Sequence, residues 1–140
     1  MILLDTNILS EVMRPAPEPK VLRWLDAQPD GEVWISAVTV AEILLGVELL
    51  PGGKRRELLS GLARRMFEED FAERCLPFDG LAAGEYAAIM AGRTRQGSPI
   101  SVEDAQIAAI ARAGRLTLAT RNTRDFAGIK GLALVNPWIA

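Results

Sequence analysis

The sequence contains no histidine and only one cysteine, and these two absences exclude much of the usual enzyme chemistry. Without histidine there is no Ser-His-Asp or Cys-His catalytic arrangement and no imidazole ligand for a metal ion. Cys75 alone cannot form a disulfide within the chain or build a cysteine-rich zinc or iron–sulfur site. Any catalytic chemistry must therefore use carboxylates, arginines and hydroxyls, or an ion that oxygen atoms can bind.

The sequence also lacks a long uncharged stretch. The longest one, residues 131–140, has about half of the ~20 residues that a membrane-spanning helix needs. The N-terminus has no basic segment and reaches Asp5 almost at once, so we expect neither a signal peptide nor a membrane anchor. The 140 residues, 49% hydrophobic and 24% charged, fit one domain spanning 1–140, and a cytoplasmic protein is the default expectation.

The net charge of −2 is unevenly distributed along the chain. Residues 1–89 carry 9 basic and 15 acidic side chains, whereas residues 90–140 carry 7 basic and 3 acidic ones. The overall acidity argues against broad, non-specific binding of nucleic acid. It still allows a local basic rim for a phosphate substrate, although simple solvent exposure is the alternative for each of the arginines concerned: Arg93, Arg95, Arg121 and Arg124.

Short apolar runs alternate with helical patterns, which predicts an α/β fold with a mostly parallel sheet flanked by helices. We predict strands at 2–4, 33–35, 116–119 and 132–135, with a further short strand within 74–78. We predict helices at 20–28, 38–50, 54–73, 81–96 and 102–113. In such a fold ligands bind beyond the carboxyl ends of the strands, where helix N-termini also lie.

Acidic residues occur at these strand ends. Asp5 follows the first strand directly, and Glu42 lies near the start of the helix after the second. Asp104 lies in the first turn of helix 102–113, and Asn122 and Asp125 follow strand 116–119. Each of these side chains is thus expected at the edge of the sheet where a site would form.

Helix capping is the alternative explanation for these acids. Thr39 to Glu42 and Ser101 to Asp104 both resemble a capping box, in which an acid at the third helical position binds a backbone N–H. Acids in a first turn are also favoured by the helix dipole, by about 0.3–1 kcal/mol each. Asp5 and Asn122 can likewise be ordinary N-caps.

Helical periodicity and charge repulsion favour a site over caps. Glu42 shares a helix face with Val38, Leu45 and Leu49, and Asp104 shares one with Ile107, Ala108 and Ala111, so both acids are predicted to point inward. Two carboxylates ~4 Å apart cost on the order of 4 kcal/mol at an effective dielectric constant of 20. Converging acids therefore need shared protons or a cation, and oxygen ligands alone suit Mg²⁺ or Mn²⁺.

Four short motifs in order along the whole chain resemble those of PIN-domain ribonucleases, and most closely VapC-type toxins of the FitB-like branch. The first is Leu3 to Asn7, and the second is Ser36 to Glu42 followed by Gly46. The third is Asp104 to Ala109, and the fourth is Ala119 to Asn122. Each motif is weak alone, but their ordered set is specific.

This resemblance implies a PIN-like three-layer fold and a role for each motif residue. Asp5, Glu42 and Asp104 would bind Mg²⁺ or Mn²⁺ and activate water to cleave an RNA phosphodiester. The fourth acid of the family commonly stands where this chain has Asn122, and Asp125 is the candidate to compensate for that departure. The resemblance also implies that Thr6 and Thr120 orient the site or the water, and Arg121 of the basic segment is expected to orient the substrate.

The resemblance further implies protein partners. VapC-type toxins are usually homodimers that a small DNA-binding antitoxin inhibits, and its C-terminal segment packs into a groove beside the site. Several apolar side chains of 38–50 and 54–70 are candidates for that groove, with ordinary core packing as the alternative: Leu44, Leu45, Leu49, Leu58, Leu59 and Met66.

Two other functions compete with the ribonuclease. A haloacid-dehalogenase-like phosphatase is suggested by an acid after the first strand, but that chemistry wants a second acid where Asn7 stands. A non-catalytic RNA-binding or interaction module on a degenerate PIN fold is suggested only by Asn122. The residues do not identify the RNA, the antitoxin or the number of metal ions.

Overall fold

A computed structural model describes all residues from Met1 to Ala140. Five strands form one parallel sheet in the order β3-β2-β1-β4-β5. The strands are β1 (Ile2–Leu4), β2 (Val33–Ser36), β3 (Cys75–Leu76), β4 (Thr117–Ala119) and β5 (Leu134–Val135). All five predicted strands are present, and the predicted α/β class is confirmed.

Seven helices connect the strands. They are α1 (Thr6–Val12), α2 (Pro19–Asp26), α3 (Ala37–Glu48), α4 (Lys54–Arg65), α5 (Gly80–Gln96), α6 (Val102–Gly114) and α7 (Thr123–Phe126). The predicted helix at 54–73 is too long, because α4 passes into a π-helical turn at Met66–Asp70 before β3. The short helices α1 and α7 were not predicted.

The core lies in two apolar layers, one on each face of the sheet. Adjacent residues of β1 supply both, since side chains of a strand alternate between faces. Leu3 packs into a layer with Leu118 and the buried face of α6, and Leu4 packs into a layer with α1, α2 and α3. Both leucines are fully buried, so β1 is the centre of the molecule.

The strand order places a crevice beside β1. From β1 the chain runs outward through β2 to β3, then crosses to the other side of β1 to form β4 and β5. The connections after β1 and β4 therefore diverge to opposite sides and leave an opening at their carboxyl ends. No helix is long and apolar enough to cross a membrane.

Candidate active site

A cleft of about 470 Å³ occupies this opening at the carboxyl ends of β1 and β4. Its lining is almost entirely polar, with one apolar side chain among eleven: Asp5, Thr6, Asn7, Ser10, Glu11, Arg14, Glu42, Asp104, Arg121, Asn122 and Trp138. Three of the acids predicted from the sequence thus face one space, although they are far apart in the chain.

Asp5 lies at the base of the cleft and is only 4% exposed. It is the N-cap of α1, and its Oδ1 accepts a hydrogen bond of 2.8 Å from the backbone N–H of Thr6. Its Oδ2 accepts from the Thr120 hydroxyl at 2.8 Å and from Asn7 Nδ2 at 3.2 Å. Burial still raises the pKa of Asp5, because these bonds do not offset the loss of water and the repulsion from Glu42 and Asp125. Asp5 is therefore both a helix cap and a member of the cleft.

A chain of hydroxyl groups orients Glu42. The Thr6 hydroxyl donates to Glu42 Oε1 at 2.6 Å, so its oxygen must accept in the 2.9 Å contact with the Thr39 hydroxyl. The Ser36 hydroxyl donates in turn to Thr39 at 3.3 Å. Each hydroxyl has one proton to donate, so the chain has a single direction from Ser36 to Glu42.

The helix that carries Glu42 does not follow the sequence prediction. Its N-cap is Ser36, not Thr39, so Glu42 lies in the second turn of α3 and forms no capping box. The buried face of α3 is Thr39, Ile43 and Val47, whereas Leu45 and Leu49 are exposed. The prediction that Glu42 heads an inward apolar stripe was wrong. Apolar residues lie on several faces of α3, so their spacing in the sequence does not identify the buried face.

Asp104 enters the cleft from the first turn of α6. Ser101 is the N-cap and its hydroxyl accepts from the N–H of Asp104 at 3.1 Å, which is one of the two hydrogen bonds of a capping box. The predicted inward face below it is correct, because Ile107, Ala108 and Ala111 are buried. Burial, followed by repulsion from Asp5, raises the pKa of Asp104 to about 6.

The acids lack cationic partners within the protein. None of the four salt bridges in the chain involves Asp5, Glu42 or Asp104. The carboxylates also do not converge as closely as a tight metal cage requires, since no group of three acids is arranged to hold an ion by itself. The cleft is thus an open, anionic pocket in which burial, together with repulsion from nearby carboxylates, raises the pKa of Asp5 and of Asp104.

The segment after β4 supplies the other predicted residues. Thr120 is fully buried behind Asp5, and its oxygen accepts from the N–H of Asn122 at 3.0 Å. Asn122 and Arg121 line the cleft, and Asn122 makes no side-chain cap for α7. Asp125 is exposed and lies outside the lining, although it contributes to the raised pKa values of Asp5 and Asp104.

One arginine of the expected basic rim has a structural role. Arg93 is only 7% exposed, and its guanidinium donates to the carbonyls of Asp125 at 2.9 Å and Ala127 at 3.0 Å. It thereby fixes α7 against the end of α5. Arg93 is therefore neither exposed to solvent nor free to bind a phosphate, so both expectations for it were wrong.

Five residues of the cleft were not predicted as site residues: Asn7, Ser10, Glu11, Arg14 and Trp138. Glu11 is 5% exposed, and a hydrogen bond from the N–H of Glu18 is the main cause of its lowered pKa. Arg14 binds the same carboxylate at 3.1 Å. The spacing of Glu11 and Arg14 is typical of an ordinary surface pair on a helix, so no sequence pattern indicates that they line the cleft.

Comparison with known proteins decides the family. A family profile described as "PIN domain" matches residues 2–132. The chain belongs to the PIN-domain family. This PIN domain is 44% identical to Toxin FitB of Neisseria gonorrhoeae over 138 residues, which cover 99% of each chain. It is 41% identical to VapC ribonuclease Y4jK of Sinorhizobium fredii over 99% of its own length and 98% of the relative.

A solved structure supports the same assignment. The structure of FitAB bound to a DNA fragment matches this PIN domain with a TM-score of 0.90 and 43% identity, over 99% of this chain and 96% of the other. The resemblance to VapC-type toxins of the FitB-like branch is therefore confirmed, as is the PIN-like fold. Neither the phosphatase nor the non-catalytic module is favoured by these relatives.

Proposed function

We propose that this PIN domain is the toxin of a toxin–antitoxin pair and acts in the cytoplasm as a metal-dependent endoribonuclease. The observation that carries the proposal is the anionic cleft at the ends of β1 and β4, which has carboxylates without counter-cations and an exposed arginine at its rim. Its relatives include proteins named as a toxin and as a ribonuclease.

The donors in the cleft fit Mg²⁺ or Mn²⁺. Asp5, Glu42 and Asp104 offer only oxygen atoms, which these hard cations prefer. Mg²⁺ commonly binds one or two carboxylates and completes its shell with water and substrate phosphate, so an open arrangement suits it better than a cage. When bound, such an ion polarises a phosphoryl oxygen and makes water a stronger nucleophile near neutral pH.

The protein's own hydrogen bonds prepare the carboxylates for this role. Thr120, Asn7 and the Thr6 N–H together hold both oxygens of Asp5, so its orientation is set before any ligand binds. The Thr6 hydroxyl holds Glu42 by Oε1 and leaves Oε2 without a hydrogen bond. We assign Oε2 of Glu42 to accept a proton from the attacking water.

Two further polar residues of the cleft have roles in this proposal. Arg121 contacts a phosphate of the RNA, and Asn122 takes the fourth position of the family motif with its carbonyl oxygen. Asp125 then contributes only long-range negative charge, because it lies outside the cleft lining. The RNA itself is not identified by these contacts.

An antitoxin segment is proposed to bind the groove beside the cleft. This apolar groove of about 590 Å³ runs between α1, α3 and α4, and it shares Thr6, Ser10, Arg14 and Glu42 with the acidic cleft. A segment lying in the groove would therefore reach the acids. Of the groove residues expected from the sequence, only Leu58 and Leu59 line it: Met66 is buried in the core, and Leu44, Leu45 and Leu49 are exposed elsewhere. Those exposed leucines are available for the homodimer that we also propose.

The ribonuclease is tested by RNA cleavage with and without Mn²⁺. We expect the wild-type protein to cleave RNA only with the metal, and Asp5→Asn and Asp104→Asn to lose that activity while remaining folded. Glu103→Gln is the matched control, since Glu103 is an exposed acid in the same helical turn as Asp104. Cleavage by either folded site variant at the wild-type rate would refute the assignment.

A further inference from the structure

The C-terminal tail reaches the cleft and supplies its one apolar side chain, Trp138. The guanidinium carbon of Arg121 lies 5.0 Å from the centre of the Trp138 ring, within the range of a cation–π interaction. Residues 121 and 138 are therefore paired at the rim of the site, although one follows β4 and the other follows β5.

Asn136 fastens both members of this pair. Its Nδ2 donates to the carbonyl of Arg121 at 3.3 Å, and its Oδ1 accepts from the N–H of Trp138 at 2.9 Å. The N–H of Arg121 also donates to Asn7 Oδ1 at 3.3 Å, which ties it to the end of β1. The backbone on either side of the pair is thus held in place from three directions.

The Arg121 guanidinium itself forms no hydrogen bond and no salt bridge. Two other arginines are occupied: Arg14 by Glu11, and Arg93 by backbone carbonyls. Arg121 is exposed, so its five N–H donors remain available while the aromatic ring limits where the side chain can go.

We propose that Trp138 is a positioning residue for RNA binding. Its ring holds the Arg121 guanidinium at the rim of the cleft, where the free N–H donors bind a phosphate next to the scissile bond. Packing on the ring restricts the arginine before RNA arrives, so less side-chain entropy is lost when the phosphate contact forms. This inference rests on the ribonuclease function proposed above.

Trp138 also packs against the core layer that contains Leu4 and Ile8, so a purely structural role is the competing explanation. The two explanations differ in salt dependence. Loss of one phosphate contact to single-stranded nucleic acid reduces the slope of log affinity against log salt by about 0.7. Loss of packing alone lowers stability and leaves that slope unchanged.

The test measures binding of a short fluorescein-labelled single-stranded RNA by anisotropy over a range of salt, in the Asp104→Asn background to prevent cleavage. We expect Arg121→Gln to weaken binding about tenfold at low salt and to reduce the slope by about 0.7. Trp138→Leu, which keeps an apolar side chain but removes the π face, should reproduce most of both effects. Trp138→Phe, which keeps an aromatic face, should bind RNA with nearly the wild-type affinity and salt slope. In the double variant, Trp138→Leu should add little to the effect of Arg121→Gln, since the two residues act as a unit.

Arg115→Gln is the charge-matched control, because Arg115 is exposed and lies before the amino end of β4, whereas the cleft lies at its carboxyl end. It should leave the salt slope unchanged. A Trp138→Leu protein with reduced thermal stability but an unchanged salt slope would overturn the role of Trp138 and leave the proposed ribonuclease function standing. Failure of the parent protein to bind RNA at any salt concentration would overturn it together with the proposed ribonuclease.

Discussion

Replacing Asp104 with asparagine should stabilise the metal-free protein at neutral pH. Burial and repulsion from Asp5 raise the pKa of Asp104 from an ordinary 3.8 to about 6, so its charged form is disfavoured in the folded state. The folded protein then binds a proton more tightly than the unfolded chain. Stability is highest below the unfolded pKa and falls as the pH rises from about 4 to about 6, after which it stays low.

The size of the effect follows from the same pKa. At 1.36 kcal/mol for each tenfold change in acidity, the full rise would correspond to about 3 kcal/mol. Asp104 is only partly buried, so screening by water reduces this to roughly 1–1.5 kcal/mol. Loss of the favourable helix dipole interaction in the first turn of α6 offsets about 0.3–1 kcal/mol. A net gain of up to ~1 kcal/mol, or about 3 °C in Tm, is expected.

Thermal unfolding in EDTA, followed by circular dichroism at pH values from about 4 to 8, measures this gain. Glu103→Gln loses the same dipole interaction without relieving repulsion, so it should be slightly destabilised. Added Mn²⁺ should raise the Tm of wild type more than that of Asp104→Asn and reverse their order. An Asp104→Asn protein less stable than wild type in EDTA at neutral pH would refute the reasoning.

Three further predictions concern neighbouring residues. Thr120→Val removes a buried hydrogen bond to a carboxylate and should cost about 1.5–3 kcal/mol of unfolding free energy in urea titrations; an unchanged midpoint would contradict this. Arg93→Ala leaves carbonyls of the α7 segment without a donor and should destabilise by about 2–4 kcal/mol, with faster amide exchange in 123–127 as the local measurement. Asn122→Ala removes one oriented polar group and should slow RNA cleavage at least about tenfold, whereas Asp125→Asn should change the rate less than about threefold. A larger loss of rate in Asp125→Asn than in Asn122→Ala would assign the fourth position to Asp125.

Three of the four acids of the cleft could be predicted from the sequence because strand ends are a local property. Asp5 directly follows an apolar run, and Asp104 heads a helix whose inward face has clear helical spacing. In a parallel sheet, such positions come together at one edge whatever the details of packing. At least one polar residue from each family motif lines the cleft at that edge, including Asp5, Glu42, Asp104 and Asn122.

Other features depended on tertiary contacts that the sequence does not encode locally. The helix α3 carries apolar residues on most sides, so Leu45 and Leu49 looked buried and are exposed. The helix α1 has only seven residues, too few for a periodic pattern to establish itself. Trp138 enters the cleft through hydrogen bonds of Asn136, which join it to a segment beyond β4.

The central position of β1 has a consequence for synthesis on the ribosome. The hydroxyl that orients Asp5 belongs to Thr120, which is translated 115 residues later. Until β4 (Thr117–Ala119) has been translated and has paired with β1, Asp5 lacks that hydrogen bond and β1 lacks the strand on one of its two sides. Asp5 is therefore held in its cleft orientation only after β4 has been translated and has paired with β1.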